Sequence, residues 1–437
     1  MNIKYISKLL FAVLIIVASA CKKDGDGALE QVEVPTAGSA DFTRFISLGN
    51  SLTAGYADNG LYLSGQISSY PNIMAQQMKL AGGGEFLQPL FTTAQKNGSG
   101  YVKYGGLSAA GTPNLIPVTT ELGIRGVAAI PGFGNVTLYT KYTEPINNYG
   151  VPGIKLRDIK LAVYGNVNGY FERLLPGNAG TNSTSYLDFA TAKPFTFFTN
   201  WLGNNDALGY ATTGGVGDVL TPKADFTALY TELITKLTAS GAKGAVATIP
   251  DVSTIPFFNT LTVAAVLANV KKANPAVQAL YIQTSAGARI ATNDDLIVLN
   301  FPTALIGVPN GSSLPYGLHP GNPIESKYVL DKDEVLNVRD YVTNYNNTIK
   351  TVAEGKGLAV FDANEYLKQF TGLGATVDGV TFTTAYVSGK LFSLDGVHLT
   401  PMGYAAVANE FMRVINEKYS STLPKVNLGN YTFLKFN

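Results

Sequence analysis

Only two histidines occur among the 437 residues, and one of them, His398, closes the run Asp395-Gly396-Val397-His398. An imidazole is well suited to take and return a proton near neutral pH, because its free pKa is about 6.5. An Asp three residues earlier, on a tight glycine-containing turn, can hold the ring in one tautomer. A base with its orienter is two parts of a catalytic triad, and the missing part is a nucleophile. The chain's one cysteine is Cys21, near the N-terminus. The domain beyond it therefore has neither a thiol nucleophile nor a disulfide framework. The second histidine, His319, lies in the Pro/Gly-rich run Leu318-His319-Pro320-Gly321 with no Asp beside it. It reads as a loop residue, with contact to substrate at the rim as the lesser option.

The elements that would position such a site alternate along the chain. Phe42 to Leu48 reads as a short strand, followed at once by the turn Gly49-Asn50-Ser51. Pro194 to Thr199 is a second apolar strand, and it too stops at a polar loop, Leu202-Gly203-Asn204-Asn205-Asp206. Ala245 to Ile249 and Leu358 to Phe361 are further buried strands. Helices are expected after Pro71, from Thr221-Pro222 with Thr221 as cap, from Asp331 with Glu334 completing a capping box, and from Thr400-Pro401. Strands alternating with helices imply a parallel sheet in a three-layer α/β domain. Ligands in such folds sit beyond the carboxyl ends of the strands, so Ser51 and Asn205 belong on one rim. Two stretches break the alternation, 82–148 and 253–325. They read as insertions, either lining the site or decorating the surface.

Three runs carry a family resemblance. Phe45-Ile46-Ser47-Leu48-Gly49-Asn50-Ser51-Leu52-Thr53-Ala54-Gly55 resembles the first block of the GDSL, or SGNH, hydrolases. Leu202-Gly203-Asn204-Asn205-Asp206 resembles their Gly-x-Asn-Asp block. Asp395-Gly396-Val397-His398, with Pro401 and Gly403-Tyr404 after it, resembles the last block. All three stand in the family's order. The resemblance implies a flavodoxin-like α/β/α sandwich with a mainly parallel sheet plus large insertions. It also implies an ester hydrolase with Ser51 as nucleophile, His398 as base and Asp395 as orienter. The oxyanion hole would comprise the N–H of Ser51, the amide of Asn205 and a glycine N–H. Gly153, in Asn148-Tyr149-Gly150-Val151-Pro152-Gly153, is the chosen glycine, with Gly150 as runner-up and Gly106 in another Gly-rich loop. Asp206 is expected to stabilise its own loop. One departure is that Asn50 stands where the family usually has Asp; an amide keeps the size and a hydrogen-bonding oxygen but no charge.

The N-terminus reads as an address. Lys4 and Lys8 precede the apolar run Leu9–Val17, and Ala18-Ser19-Ala20 leads into Cys21. This is the pattern of a lipoprotein signal peptide, 1–20, with acylation of Cys21 and a flexible tether, 21–40, before the hydrolase domain, 41–437. Anchoring to a bacterial membrane, most simply the outer one, is the expectation. A formal net charge of +1 argues against a nucleic-acid partner. Two histidines leave only carboxylates as metal ligands, and none has calcium-loop spacing, so neither metal nor cofactor is expected. Phe195, Phe197, Phe198, Trp201, Phe257 and Phe258 lie near the expected rim, where they would suit an acyl chain unless they are strand core. The substrate classes in view are lipid or short acyl esters and, as the runner-up, O-acetylated carbohydrates. A non-catalytic binding lipoprotein on the same fold is the third reading.

Overall fold

The computed structural model describes residues 34–108, 112–309 and 311–435. The expected signal peptide, Cys21 and most of the expected tether lie outside them. Five strands form the central sheet: β1 Phe45–Gly49, β2 Asn148–Gly150, β3 Phe197–Trp201, β4 Lys243–Ala247 and β5 Ala359–Phe361. They lie in the order β5-β4-β3-β1-β2 and every pairing is parallel. Every residue of β1 and β3 is buried, as expected when a parallel sheet is covered on both faces. The helices that matter here are α1 Ser51–Ala54, α2 Tyr70–Leu80, α3 Asn205–Thr212, α4 Lys223–Thr238, α5 Lys332–Gly355 and α6 Pro401–Tyr419.

Alternate residues of a strand face opposite layers, and β3 shows both. Phe197 meets Phe42 and Tyr419, Thr199 shares a 2.7 Å hydrogen bond with Ser47, and Trp201 packs edge-on against Tyr70 and Phe411. That face belongs to α2 and α6. Asn200 points the other way, to Tyr230 of α4, and Phe226 of α4 stacks on Tyr345 of α5 at 3.8 Å between ring centres. The result is the expected α/β/α sandwich. Each fully buried Phe, Leu or Ile on these faces contributes roughly 1.5–3 kcal/mol.

Helix starts follow local chemistry. Asp331 accepts from the N–H groups of Asp333 and Glu334, and Glu334 reaches back to the Asp331 N–H, completing the capping box of α5. Thr400 caps α6 by accepting from Gly403 at 2.9 Å. Thr221, expected to cap α4, does not: its hydroxyl donates to Asp206 at 2.6 Å and Pro222 takes the cap position. Thr221 thus lies one residue before the cap, with its hydroxyl spent as a donor to that buried carboxylate.

Pro35–Asn437 forms one compact unit. It begins within the stretch read as a tether: the Ser39 N–H donates to Tyr419 O, and the Thr36 N–H to the Thr422 hydroxyl. The 82–148 stretch forms two antiparallel hairpins, Tyr101–Leu107 with Pro113–Val118 and Ile124–Ile130 with Gly134–Tyr139, and then leads into edge strand β2. The other stretch includes a helix, Val263–Ala273, and a hairpin, Tyr281–Thr284 with Gly287–Ile290.

Candidate active site

The sheet order reverses around β1 and β3, and both strands end at this switch point, where α/β folds hold ligands. At the end of β1 the chain turns directly into α1. A Cβ on Gly49 would lie 1.9 Å from the Thr53 hydroxyl, so only glycine fits. Asn50 then caps α1, its Oδ1 accepting from the Leu52 N–H at 3.0 Å. The departure at this position therefore has a plain account, because capping needs the oxygen and not the charge. Ser51 becomes the first helical residue, and its N–H has no acceptor within the helix.

His398 Nε2 lies 2.8 Å from Ser51 Oγ, and His398 Nδ1 lies 2.8 Å from Asp395 Oδ2. Asp395 Oδ1 also accepts from the N–H groups of His398 and Val397, at 2.8 and 2.9 Å, and from the Ser393 hydroxyl at 3.1 Å. Its Oδ2 takes the Asn59 N–H at 3.0 Å. Burial alone would raise the Asp395 carboxyl, but the adjacent imidazole and these donors outweigh it and hold it far below the usual range. An anion at Oδ2 fixes the proton on Nδ1. Nε2 is then the acceptor for the Ser51 hydroxyl. Tyr56 closes one side of the ring, 4.6 Å between centres, and its carbonyl is pinned by the Tyr404 hydroxyl at 2.6 Å.

Ser51, Gly153 and Asn205, each with an N–H that could serve as a donor, line the same cleft as His398. Asn205 opens α3 and donates one N–H of its amide to Ile154 O at 2.9 Å, leaving a second N–H. Gly153 has φ +86°, and a Cβ there would meet only the Asn168 amide at 3.5 Å. Among the described residues nothing accepts from its N–H or from that of Ser51. Gly150 is different: its N–H is taken by Asn148 Oδ1 at 2.9 Å, and a Cβ would lie 2.3 Å from the Ala54 nitrogen. It is the glycine against which α1 packs. Gly106 belongs to the hairpin strand Tyr101–Leu107.

Asp206 does more than hold its own loop. It accepts from the Leu156 N–H and the Thr221 hydroxyl, both at 2.6 Å. It thereby ties the Asn205 loop to the segment that follows Gly153. Burial raises its carboxyl to about 6. The folded state thus retains this proton above the ordinary carboxylate range, and the associated stability is lost as pH rises through about 6.

Ser51, Asn205, Leu208, Val397 and His398 border two cavities. One is small, about 50 Å³, and mainly apolar, with Trp201, Val252, Ile255, Leu367 and Phe392 in its wall. The other is an open cleft of about 580 Å³ bordered by Tyr56, Tyr139, Tyr170, Asn135, Asn168 and Phe257. Both stretches therefore reach the site, 82–148 through Asn135 and Tyr139, 253–325 through Ile255 and Phe257. Phe195, Phe197, Phe198 and Phe258 are core; of the aromatic residues named from the sequence, Trp201 and Phe257 reach the cavities. Tyr56, Tyr139 and Tyr170 were not singled out by sequence. A Tyr directly after the Gly55 that ends the first block was the one available signal. His319 is a loop residue whose Nδ1 accepts from the Gly321 N–H at 2.9 Å. Among the described residues no three His, Cys, Asp or Glu side chains are grouped to hold a metal ion.

This is an α/β/α fold with a Ser–His–Asp chain at its switch point, the arrangement of a serine hydrolase scaffold. Residues 45–411 match the GDSL-like Lipase/Acylhydrolase family, and the chain belongs to it. Ester hydrolysis is the general activity this membership carries. Among curated proteins, none matches this sequence. Similar solved structures include an α/β hydrolase from the metagenome of Lake Arreo, Spain, 11% identical over 86% of this chain and 96% of that one, TM-score 0.36. An acetylxylan esterase from Geobacillus stearothermophilus is 10% identical over 86% and 95%, TM-score 0.36. An extracellular lipase from Streptomyces rimosus is 11% identical over 86% and 99%, TM-score 0.30.

Proposed function

We propose that the chain is an exported serine esterase that cleaves carboxylic esters through an acyl-enzyme. The observation that carries this reading is the continuous chain Asp395–His398–Ser51, with both links at 2.8 Å. Ser51 Oγ attacks the ester carbonyl carbon while His398 Nε2 takes its proton. The carbonyl oxygen becomes an anion, stabilised by the N–H groups of Ser51 and Gly153 and the amide of Asn205. Each such donor is worth roughly 10²–10³ in rate. Collapse breaks the bond to the alcohol, which leaves with the proton from His398. Water, deprotonated by the same imidazole, then releases the acid.

The two cavities favour short acyl esters. An apolar space of about 50 Å³ suits the methyl or ethyl of a small acyl group, while the cleft of about 580 Å³ suits a larger alcohol. A second reading follows from the cleft's lining. Aromatic rings beside the amide of Asn135 suit a hydroxyl-rich ring, so an O-acetylated carbohydrate is the alternative substrate class. In a series of nitrophenyl esters, kcat/KM should fall steeply from acetate to octanoate. A rate that holds or rises with chain length overturns the short-acyl reading in favour of lipid esters. A protein that turns over none of them is the binding-module outcome.

We further infer that Cys21 carries the lipid anchor, which supports a bacterial outer-membrane location. Each buried methylene contributes about 0.8 kcal/mol, so several acyl chains hold firmly. Cys21→Ser should move the expressed protein from the membrane to the soluble fraction. Membrane retention of that variant would rule the anchor out.

A further inference from the structure

Asp58 is a buried carboxylate, 8% exposed, that the hydrolytic steps above do not use. It sits in a two-residue turn closed by Ala57 and Gly60, whose backbones exchange hydrogen bonds at 3.0 and 2.9 Å. Both central residues are left-handed, Asp58 with φ 53° and Asn59 with φ 65°. Two successive left-handed residues make a hairpin turn that favours Asn, Asp and Gly, because other side chains resist it.

The turn is built against the triad carboxylate. The Asn59 N–H points at Asp395 Oδ2, 3.0 Å away, the oxygen that also takes His398 Nδ1–H. The Asp58 N–H donates to Ser393 Oγ at 3.0 Å, and that hydroxyl donates to Asp395 Oδ1 at 3.1 Å. The Asp58 carboxylate accepts from the Leu394 N–H at 3.1 Å and from the Tyr62 hydroxyl at 2.7 Å. Asp58 therefore grips both residues that precede Asp395, and its neighbour bonds Asp395 itself. Burial pushes the Asp58 carboxyl up despite the donors from Tyr62 and Leu394. The fold keeps an acid here although Asn or Gly would satisfy the left-handed turn without a buried carboxyl.

We propose that Asp58 is a positioning residue: its carboxylate holds Leu394 against the 57–60 turn, and this clamp sets Asp395 against His398. The inference rests on Ser51, His398 and Asp395 acting as proposed. Groups that orient a catalytic group from one shell out commonly change activity by about 10–100-fold. The clamp should thus act on kcat and leave KM nearly unchanged.

The test uses the whole mature chain with nitrophenyl acetate, alongside proton NMR of the low-field His398 Nδ1 resonance, assigned by its loss in His398→Ala. Asp58→Ala should lower kcat by about 10–100-fold, with KM nearly unchanged and the low-field proton shifted or broadened. Asp58→Asn keeps an oxygen for the Leu394 N–H and should restore most of the rate and the resonance. If Asp58→Ala does not fold, Asp58→Gly, which suits the left-handed turn, replaces it, with the same expected loss and shift. A folded Asp58→Ala or Asp58→Gly with wild-type kcat and an unmoved proton would overturn the clamp, as would a loss confined to KM. A wild-type protein without esterase activity would overturn the hydrolase reading instead, and the proton shift would still decide the clamp.

Discussion

Ser51→Ala and His398→Ala should each lower ester turnover by on the order of 10⁶-fold, and together by little more than either alone, because nucleophile and base act as a unit. The two side chains share one 2.8 Å hydrogen bond. Removing either leaves the oxyanion donors in place, which sustain a small residual rate over water. Neither side chain is needed to hold the fold. Asn50 caps α1 without help from the Ser51 hydroxyl, and the backbone around His398 is held through its N–H to Asp395 and its carbonyl to the Ser393 N–H. Melting temperatures close to wild type are therefore expected. A large drop in melting temperature would show the residues to be structural.

Asp395→Asn should cost about 10⁴ in kcat, the effect expected when an orienting carboxylate becomes an amide and the imidazole loses its preferred tautomer. Here the change also disturbs packing. Asp395 accepts from the N–H groups of Val397, His398 and Asn59, from the Ser393 hydroxyl and from the His398 ring. An amide nitrogen at Oδ2 would face the Asn59 N–H and the His398 Nδ1–H as a fellow donor. Stability should fall as well as rate, by about 1–3 kcal/mol for the donors left unpaired. The wild-type carboxyl is held below its unfolded value. Its contribution is therefore complete above the unfolded range near 3.9 and is lost only as pH falls toward the folded value. Asp395→Asn should remove that part of the acid sensitivity. Urea unfolding of both proteins between neutral and strongly acidic pH checks it.

Several parts of this site were legible in the sequence because they are local. The Asp395–His398 pair spans three residues, and Ser51 and Asn205 each follow a buried strand by a few residues. Periodicity and turn chemistry place such residues without knowledge of the rest of the chain. The choice between Gly153 and Gly150 was not local. It depends on α1 packing against Gly150, which puts the Ala54 nitrogen where a Cβ would stand. Strand β2 has three residues, too few for any period to show, so it was read as part of a loop. Thr221 was assigned by its neighbour Pro222, but its hydroxyl is spent on a carboxylate fifteen residues upstream, Asp206. Asp58 and Asn59 meet Leu394 and Asp395 across 336 residues of chain. No spacing rule reports contacts of that range. The stretch that brings Asn135 and Tyr139 to the cleft was legible only as a break in the strand–helix alternation, without its hairpins or their docking.

The central claim is that Ser51 is an activated nucleophile, and reaction with a fluorophosphonate tests it most directly. The purified protein should take up one adduct, carried on the peptide that contains Ser51, and His398→Ala should suppress it. A folded wild-type protein that stays unlabelled, or is labelled at another residue, would contradict the account.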